Sequence, residues 1–160
     1  MSMAKLGILK LPDQALRKKA AYVDGVSDAE RRILLDMAEA MYLNKGVGLA
    51  ALQVGIDKQL AVIDVGEGLV KLINPAIIKR EGSSVAEEGC LSVPGLQVRV
   101  RRANRIKVTF LNEKGEVSRL SADGLASRAI QHEIDHLSGR LIIDYLNPIR
   151  RLLACFCRRT

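Results

Sequence analysis

A five-residue motif constrains this chain more than any other feature of its sequence. Residues 132–136 read His-Glu-Ile-Asp-His, inside a segment with a helical pattern. A helix advances about 100° per residue, so His132 and His136 lie on one face, where two imidazoles can hold one divalent metal ion. Glu133 lies beside that ion and can take a proton from a water molecule that the metal activates. The motif therefore indicates metal-assisted hydrolysis and requires a third ligand.

The alternative interpretation is two ordinary histidines and a solvated glutamate. The sequence weakens it, because the chain has two histidines and both lie in the motif. Leu125 and Ala129 share their stripe, which predicts that this face of the helix is buried. Buried His and Glu side chains are costly without a partner, and a metal ion offsets that cost.

Length and composition predict an ordinary globular protein. The chain has 160 residues, 48% of them hydrophobic and 27% charged, which favours a single domain over residues 1–160. The N-terminus does not resemble a signal peptide, and no apolar run reaches the length of a membrane span. We therefore expect a cytoplasmic protein without membrane contact, although a transit peptide could already have been removed.

The charge balance is basic, with a net charge of +7. Such a charge attracts phosphate and is compatible with an RNA or ribosome neighbour, but it equally well serves solubility. The chain has three Tyr, two Phe and no Trp. So few aromatic side chains argue against a dedicated nucleic-acid module, and no sequence-specific nucleic acid is expected.

Periodicity predicts two long helices with a strand-rich region between them. Ser27 and Glu30 form a capping box for an amphipathic N-terminal helix that ends near Asn44. A second helix is expected from an N-cap at Asp123 to Gly139 at the C′ position, and a short C-terminal segment follows. Between the helices, β-rich runs follow one another without intervening helices, which predicts an antiparallel or mixed sheet and not βαβ units. These runs are 60–65, 70–73, 77–79, 96–100, 106–111 and 116–120, separated by turn signals such as Asn74-Pro75 and Pro94-Gly95.

The third metal ligand must be a Cys, Asp or Glu, because the sequence has no third histidine. Cys90 is the strongest candidate. It lies in a turn-like segment, 87–92, which is 42 residues before His132 (132 − 90). One thiolate and two imidazoles leave a coordination position open, as a catalytic site requires. Without the histidines, a small buried hydrophobic side chain would be the default interpretation of Cys90.

A glycine-containing segment, residues 46–53, reads GVGLAALQ. Glycines allow the backbone to approach a ligand closely, and the Gln53 side chain can donate a hydrogen bond to an oxyanion. A helix end followed by a loop explains the same residues equally well. The segment lacks the Gly-Lys-Ser/Thr ending of a phosphate-binding loop.

Together these three segments resemble the motifs of the peptide deformylases, G-x-G-L-A-A-x-Q, E-G-C-L-S and H-E-x-D-H. Residues 46–53, 88–92 and 132–136 match them in full, and the resemblance covers nearly the whole chain. It implies an enzyme that removes the formyl group from N-formylmethionine at the start of nascent polypeptides. It also implies an α+β fold in which antiparallel sheets surround the motif helix.

The resemblance further implies the roles of individual residues. Cys90, His132 and His136 would hold the metal, expected to be Fe²⁺, with Zn²⁺, Ni²⁺ or Co²⁺ also able to bind. Glu133 would move the proton, while the Gln53 side chain and the Leu91 backbone N–H would stabilise the oxyanion. The expected substrate contacts are Val47, Gly48 and Gly89 through their backbones and Ala86, Glu88, Leu125, Arg128 and Ala129 around the methionine side chain.

Two arginines need separate mention. Arg128 stands where an apolar residue is expected; its stem could line the pocket while its charge turns outward, or it could narrow the substrate preference. Arg102 matches a position that approaches the substrate in relatives.

The C-terminal segment is shorter than in many relatives, in which a longer basic helix docks at the ribosome. Residues 147–160 nevertheless hold Arg150, Arg151, Arg158 and Arg159. They predict a weak, transient ribosome contact, and a solvated end without a partner is the alternative. Cys155 and Cys157 are interpreted as incidental.

Two other functions remain as alternatives. A metallopeptidase with the same motif usually takes a glutamate or a third histidine as ligand, which Cys90 argues against. A non-catalytic metal-binding, ribosome-associated module has no use for Glu133 or Gln53, because a structural site needs a fourth protein ligand and no general base.

Overall fold

The computed structural model describes residues 6–156. It contains three α-helices and seven strands, together with 3₁₀ helices at Gln14–Arg17, Ala51–Val54 and Ile142–Tyr145. The α-helices are α1 (Asp28–Leu43), α2 (Gly124–Leu137) and α3 (Pro148–Phe156). The strands are β1 (Gly48–Ala50), β2 (Leu60–Ile63), β3 (Val70–Glu81), β4 (Ser84–Cys90), β5 (Val93–Arg102), β6 (Arg105–Leu111) and β7 (Val117–Asp123).

The strands form two antiparallel sheets. The larger has the order β1-β2-β3-β6-β7, and the smaller is the hairpin of β4 and β5. The predicted α+β class is confirmed, and every described pairing is antiparallel. β3 and β6 pair across the β4–β5 hairpin that is inserted between them. In the described part of the chain, none of the helices has both the length and the apolar character that crossing a bilayer requires.

The N-terminal helix agrees with its prediction. The Ser27 side chain accepts a hydrogen bond from the backbone of Ala29, and the Glu30 side chain accepts one from the backbone N–H of Ser27 (2.9 Å). Asn44 is the C-cap. The buried face carries Leu34, Met37, Ala38 and Met41 at helical spacing and packs on β1 and β2.

The predicted turn at Asn74-Pro75 was wrong. β3 continues through it, although its pairing with β6 is irregular between Ile73 and Ala76. Asn74 has a positive φ of 51°, and its side chain exchanges two hydrogen bonds with the backbone of Val23, at 2.9 and 2.8 Å. A β-bulge absorbs the turn residues, so the two predicted strands are one.

The segment around Cys90 is also more regular than predicted. Of the turn-like segment predicted over 87–92, residues 87–90 belong to β4, and Leu91 and Ser92 form the turn to β5 that lets Cys90 pair with Val93. The Pro94-Gly95 signal lies inside β5, where Gly95 takes a positive φ of 74° without ending the strand. The candidate ligand is therefore held at the end of a hairpin.

Helix α2 has nearly the predicted bounds. Asp123 is its N-cap residue but makes no capping hydrogen bond with its side chain. Gly139 follows the C-cap with a φ of 72°, and a β-carbon there would lie 2.5 Å from the carbonyl oxygen of Arg17. One expectation for the motif face was wrong, because Leu125 is 56% exposed while Ala129 is buried.

Three hydrophobic clusters make up the core. The first joins α2 to the inner strands of the larger sheet, and the second joins α1 to β1 and β2. The third joins β5 to Leu16 and to Leu141, Ile142 and Ile143. Cys90 packs against the third cluster and Leu91 against the second, so the segment that carries them lies where clusters meet.

Glu30 links the capping box to stability at low pH. Its hydrogen bonds with Lys58 and Ser27 lower its pKa from 4.5 to about 2. A carboxylate whose pKa is lowered by folding stabilises the protein above its unfolded pKa and loses that contribution as the pH falls toward its folded pKa. Between about pH 6 and about pH 2, we expect wild type to lose about 1–2 kcal/mol more unfolding free energy than Glu30→Gln. The difference is no larger because Lys58, the partner of Glu30, is partly exposed and solvent screens the ion pair.

Urea unfolding at both pH values measures this difference, and Glu67→Gln, an exposed loop substitution, is the matched control. An equal loss in wild type and Glu30→Gln would show that Glu30 does not contribute in this way.

Candidate metal centre and active site

Three potential metal ligands converge where the hairpin meets α2. Cys90 comes from the end of β4, and His132 and His136 come from successive turns of α2. The Cys90 Sγ lies 3.2 Å from the His136 Nε2, which lies 3.1 Å from the His132 Nε2. The three ligating atoms all lie within 4.8 Å of one another. The structure thus brings together the three ligands predicted from the sequence.

This geometry fits a tetrahedral metal ion. Metal–nitrogen bonds of about 2.05 Å and a metal–sulfur bond of about 2.3 Å would separate two nitrogens by about 3.3 Å and a nitrogen from the sulfur by about 3.6 Å. The observed separations are slightly shorter, so small side-chain movements suffice. Burial lowers the pKa of His136 well below its usual value, which keeps its ring in the neutral form that binds metals.

Glu88 orients His132. Burial disfavours its charge, but hydrogen bonds from His132, Arg102 and Arg128 outweigh that effect and lower its pKa to about 2. An ionised carboxylate only accepts, so the His132 Nδ1 donates to the Glu88 Oε2 over 3.0 Å. This contact fixes the tautomer and turns the Nε2 lone pair toward Cys90 and His136.

Arg102 lies behind Glu88 rather than in the cavity that contains the candidate ligands. Its guanidinium group makes two hydrogen bonds of 2.9 Å to Glu88 and donates to Asp135 at 2.6 Å and to Tyr145 at 3.0 Å. Its side chain is buried. The expectation that Arg102 approaches a substrate therefore disagrees with the structure, because all of these contacts hold it inside the protein.

Arg128 also turns toward Glu88. Its Nη1 lies 2.7 Å from the Glu88 Oε1 and 2.9 Å from the carbonyl oxygen of Val100, while its Nη2 contacts Ser84. The outward-turned charge that the sequence analysis considered for Arg128 therefore does not occur. The half-buried guanidinium group contributes to the wall of the cavity instead.

Glu133 is buried beside the three ligands. Within the described residues, its Oε2 has no hydrogen-bond partner. Burial raises its pKa to about 7, while the positive charge of Arg102 acts in the opposite direction, as a bound metal ion would. The carboxylate lies so close to Gly48 that a β-carbon there would collide with the Glu133 Oε1. A glycine at position 48 is thus required by the position of Glu133.

Gln53 is held with its amide directed to the same place. Its Oε1 accepts from the backbone N–H of Ala50 (2.9 Å), which fixes the amide orientation. Its Nε2 donates to the Ser92 Oγ (3.1 Å) and lies 3.7 Å from the Cys90 Sγ. A buried donor beside the metal ligands suits the stabilisation of negative charge.

A cavity of about 570 Å³ opens beside these groups. Most residues predicted to contact a substrate line it, namely Val47, Gly48, Glu88, Gly89, Leu125, Arg128 and Ala129. Ala86, which was also expected at the methionine pocket, is exposed on β4 and does not line the cavity. Leu91, Gln53, Glu133, Cys90 and His132 also line the cavity, whereas His136 lies deeper. Exposed Val47 and Leu125 lie at its rim.

The sequence analysis missed several lining residues. Val93, Leu96 and Gln97 reach the cavity from β5, and Lys45 reaches it from the end of α1. The connection between β4 and β5 brings Gln97 back beside Gly89, where a β-carbon would lie 3.1 Å from the Gln97 Nε2. Recognising that 87–92 belongs to a hairpin would have revealed these neighbours.

A cysteine and two histidines beside a buried glutamate, at the edge of a cavity large enough for a peptide side chain, define a class of protein. This arrangement on an α+β scaffold is that of a metal-dependent hydrolase.

Comparisons with known proteins identify the family. The family model described as polypeptide deformylase matches residues 5–152. A peptide deformylase of Pseudoalteromonas translucida is 51% identical over 152 residues, covering 93% of this chain and 91% of the relative. The chain belongs to the peptide deformylase family. It is an enzyme of that metal-dependent family and removes the N-formyl group from nascent peptides.

Solved structures agree with this assignment. The peptide deformylase from Legionella pneumophila has a TM-score of 0.90 and 40% identity, covering 94% of this chain and 91% of that one. The enzyme from Synechococcus elongatus, determined in complex with actinonin, has a TM-score of 0.88 and 39% identity, covering 96% and 87%. These similarities confirm the predicted fold.

The role of Glu88 leads to a prediction about metal affinity. Glu88→Gln removes the charge that accepts from His132, so we expect zinc to bind about 10- to 100-fold more weakly. Competition with a chromophoric chelator measures the change, and thermal unfolding of the same samples reports any loss of stability. Glu67→Gln, in an exposed loop away from the cavity, is the matched control. Wild-type zinc affinity in folded Glu88→Gln would contradict the proposed orienting role.

Proposed function

We propose that the chain hydrolyses N-formylmethionyl peptides at a site where Cys90, His132 and His136 hold one divalent metal ion. The observation that supports this most strongly is the convergence of these three ligands beside Glu133 at the open cavity. A bound metal supplies a water nucleophile with a lowered pKa and polarises the formyl carbonyl. Fe²⁺ is the proposed physiological ion, and a mixed sulfur and nitrogen ligand set also accepts Zn²⁺, Ni²⁺ or Co²⁺.

Glu133 is the proposed proton carrier. Its free Oε2 and its pKa near neutrality suit a group that accepts a proton and gives it up again within one turnover. The carboxylate takes the proton of the attacking water. It then passes the proton to the methionine nitrogen as the carbon–nitrogen bond breaks, so the products are formate and a peptide with a free amine.

Gln53 and Leu91 are the proposed donors to the oxygen of the formyl group. The Gln53 amide is already oriented by Ala50 and Ser92, so little rearrangement is needed when negative charge develops. The backbone N–H of Leu91, next to Cys90, is the second donor. Both residues line the cavity beside the ligands.

An extended peptide fits between two strand edges. β1 is the edge strand of the larger sheet, and β4 is one of two strands in the hairpin. We therefore propose that Val47 and Gly48 on one side and Gly89 on the other pair with the substrate backbone. The methionine side chain then lies against Leu125, Ala129 and the aliphatic parts of Glu88 and Arg128, whose paired charges narrow this pocket.

Cellular context gives further proposals. The chain acts as one catalytic domain over residues 1–160, in the cytoplasm where bacterial-type nascent chains begin. α3 carries exposed Arg150 and Arg151 on its described part, and we propose that this basic segment makes a weak ribosome contact. Arg158, Arg159 and Cys157 lie outside the described residues.

Formate release from a formyl-Met-Ala-Ser peptide tests the catalytic proposal. With anaerobically purified, metal-loaded protein, we expect Glu133→Ala to lower the rate by about a hundredfold or more, because the proton carrier is lost. Glu67→Ala, in an exposed loop away from the cavity, is the matched control and should retain the wild-type rate. Metal content is measured in each sample.

No formate release from metal-loaded wild type would favour the non-catalytic metal-binding module. A nearly unchanged rate in Glu133→Ala with full metal content would instead retain the enzyme but assign proton transfer to another group.

The ribosome contact is tested by co-sedimentation. Deleting residues 150–160 should reduce the fraction of protein that sediments with ribosomes at low salt, and raising the salt should reduce it in wild type, since the contact is electrostatic. Equal sedimentation of the deleted and full-length proteins would remove this proposal.

A further inference from the structure

A second cavity, of about 330 Å³, lies on the opposite side of Arg102 from Glu88. Its walls are the end of β3, the connection to β4, the end of β5, one face of α2 and the segment after α2. The formyl hydrolysis proposed above does not use it. We name it the arginine cavity, after Arg80, Arg101, Arg102 and Arg140, which all line it.

The buried floor of the arginine cavity is electrically balanced. Arg102 pairs with Glu88 on one side and with Asp135 on the other. The Tyr145 hydroxyl also donates to the Asp135 Oδ2 over 2.6 Å. Among the described residues that line the cavity, Asp135 is the one acidic residue, and these contacts already neutralise its charge.

The rim, in contrast, carries three arginines, and Asp135 and Asp144 act on Arg140 only at a distance. Arg80, Arg101 and Arg140 are exposed, and among residues 6–156 no carboxylate lies within 4.0 Å of their guanidinium nitrogens. Arg101 donates to the Ser83 Oγ (3.2 Å), and Arg140 lies over the ring of Tyr145, 5.6 Å from its centre. These neutral contacts position two of the three groups without neutralising them.

Three like charges around one concave space repel one another, and an anion placed between them removes that repulsion. Guanidinium groups bind phosphate oxygens in a bidentate manner. The cavity has room for about ten water molecules, so it exceeds the size of one phosphate group. The net charge of +7 further raises the local concentration of anions.

We propose that the arginine cavity is a phosphate-binding site, with Arg80, Arg101 and Arg140 as its ligands. Inorganic phosphate, a phosphorylated small molecule and the phosphate backbone of RNA share the required chemistry. A dianion gains from all three guanidinium groups, so phosphate should bind more tightly than acetate.

Calorimetric titration of the zinc-loaded, full-length protein with inorganic phosphate at low salt tests the site. Arg80→Gln and Arg140→Gln should each weaken binding about tenfold, as expected for the loss of a charge-assisted contact. Arg99→Gln is the matched control, since Arg99 is exposed on β5 but does not line either cavity. Thermal unfolding confirms that each variant is folded.

A parallel titration with a short single-stranded RNA distinguishes the sources of phosphate. Arginine-dependent RNA binding that inorganic phosphate displaces would identify the RNA backbone as the ligand. Arginine-dependent phosphate binding without RNA binding would identify a small molecule. The proposal would be overturned if neither phosphate nor RNA binds. It would also be overturned if the Arg80 and Arg140 substitutions leave binding unchanged, as they would if phosphate bound only at the metal.

Discussion

The buried charge of Glu88 is the interaction on which the rest of the site depends. Its carboxylate accepts hydrogen bonds from His132, Arg102 and Arg128, and each of these partners has a different role in the structure. His132 is a candidate metal ligand, Arg102 joins the hairpin to Asp135 on α2, and Arg128 closes the wall of the cavity. An isolated carboxylate in this position would be protonated or would destabilise the fold, so the arginines are needed for the histidine to be oriented.

The fold was predictable where one physical signal dominated. The capping box of Ser27 and Glu30 placed α1 correctly, and Gly139 placed the end of α2, because only glycine fits beside the carbonyl of Arg17. The predictions that failed were those that placed a turn at a turn-favouring residue which instead lies inside a strand. Asn74 adopts its positive φ inside a strand because Val23, distant in sequence, satisfies its side chain, and local sequence contains no information about that partner.

In the candidate site, too, some features were predictable from local sequence and others were not. Spacing alone joined His132 to His136, and the absence of other histidines made Cys90 the leading candidate, so the convergence of these three residues was predicted without knowledge of the fold. The contacts of Arg102 and Arg128 were not predicted. Both arginines are paired inside the protein, and an ion pair between residues far apart in sequence has no local periodicity. Gln97 was missed because the hairpin that brings it to Gly89 was not recognised.

The position of the metal ligands explains why the site is open. Cys90 packs with the cluster around β5, Leu91 with the cluster around α1, and Ala129 beside the histidines with the cluster around α2. Apolar side chains within each cluster pack closely, but the junction between clusters leaves the cavity that a peptide can enter. Polar contacts cross this junction, above all Glu88 to His132 and Gln53 to Ser92. Binding of a metal by Cys90 and the two histidines would add a further link between the clusters, so metal affinity and the stability of the junction are thermodynamically coupled.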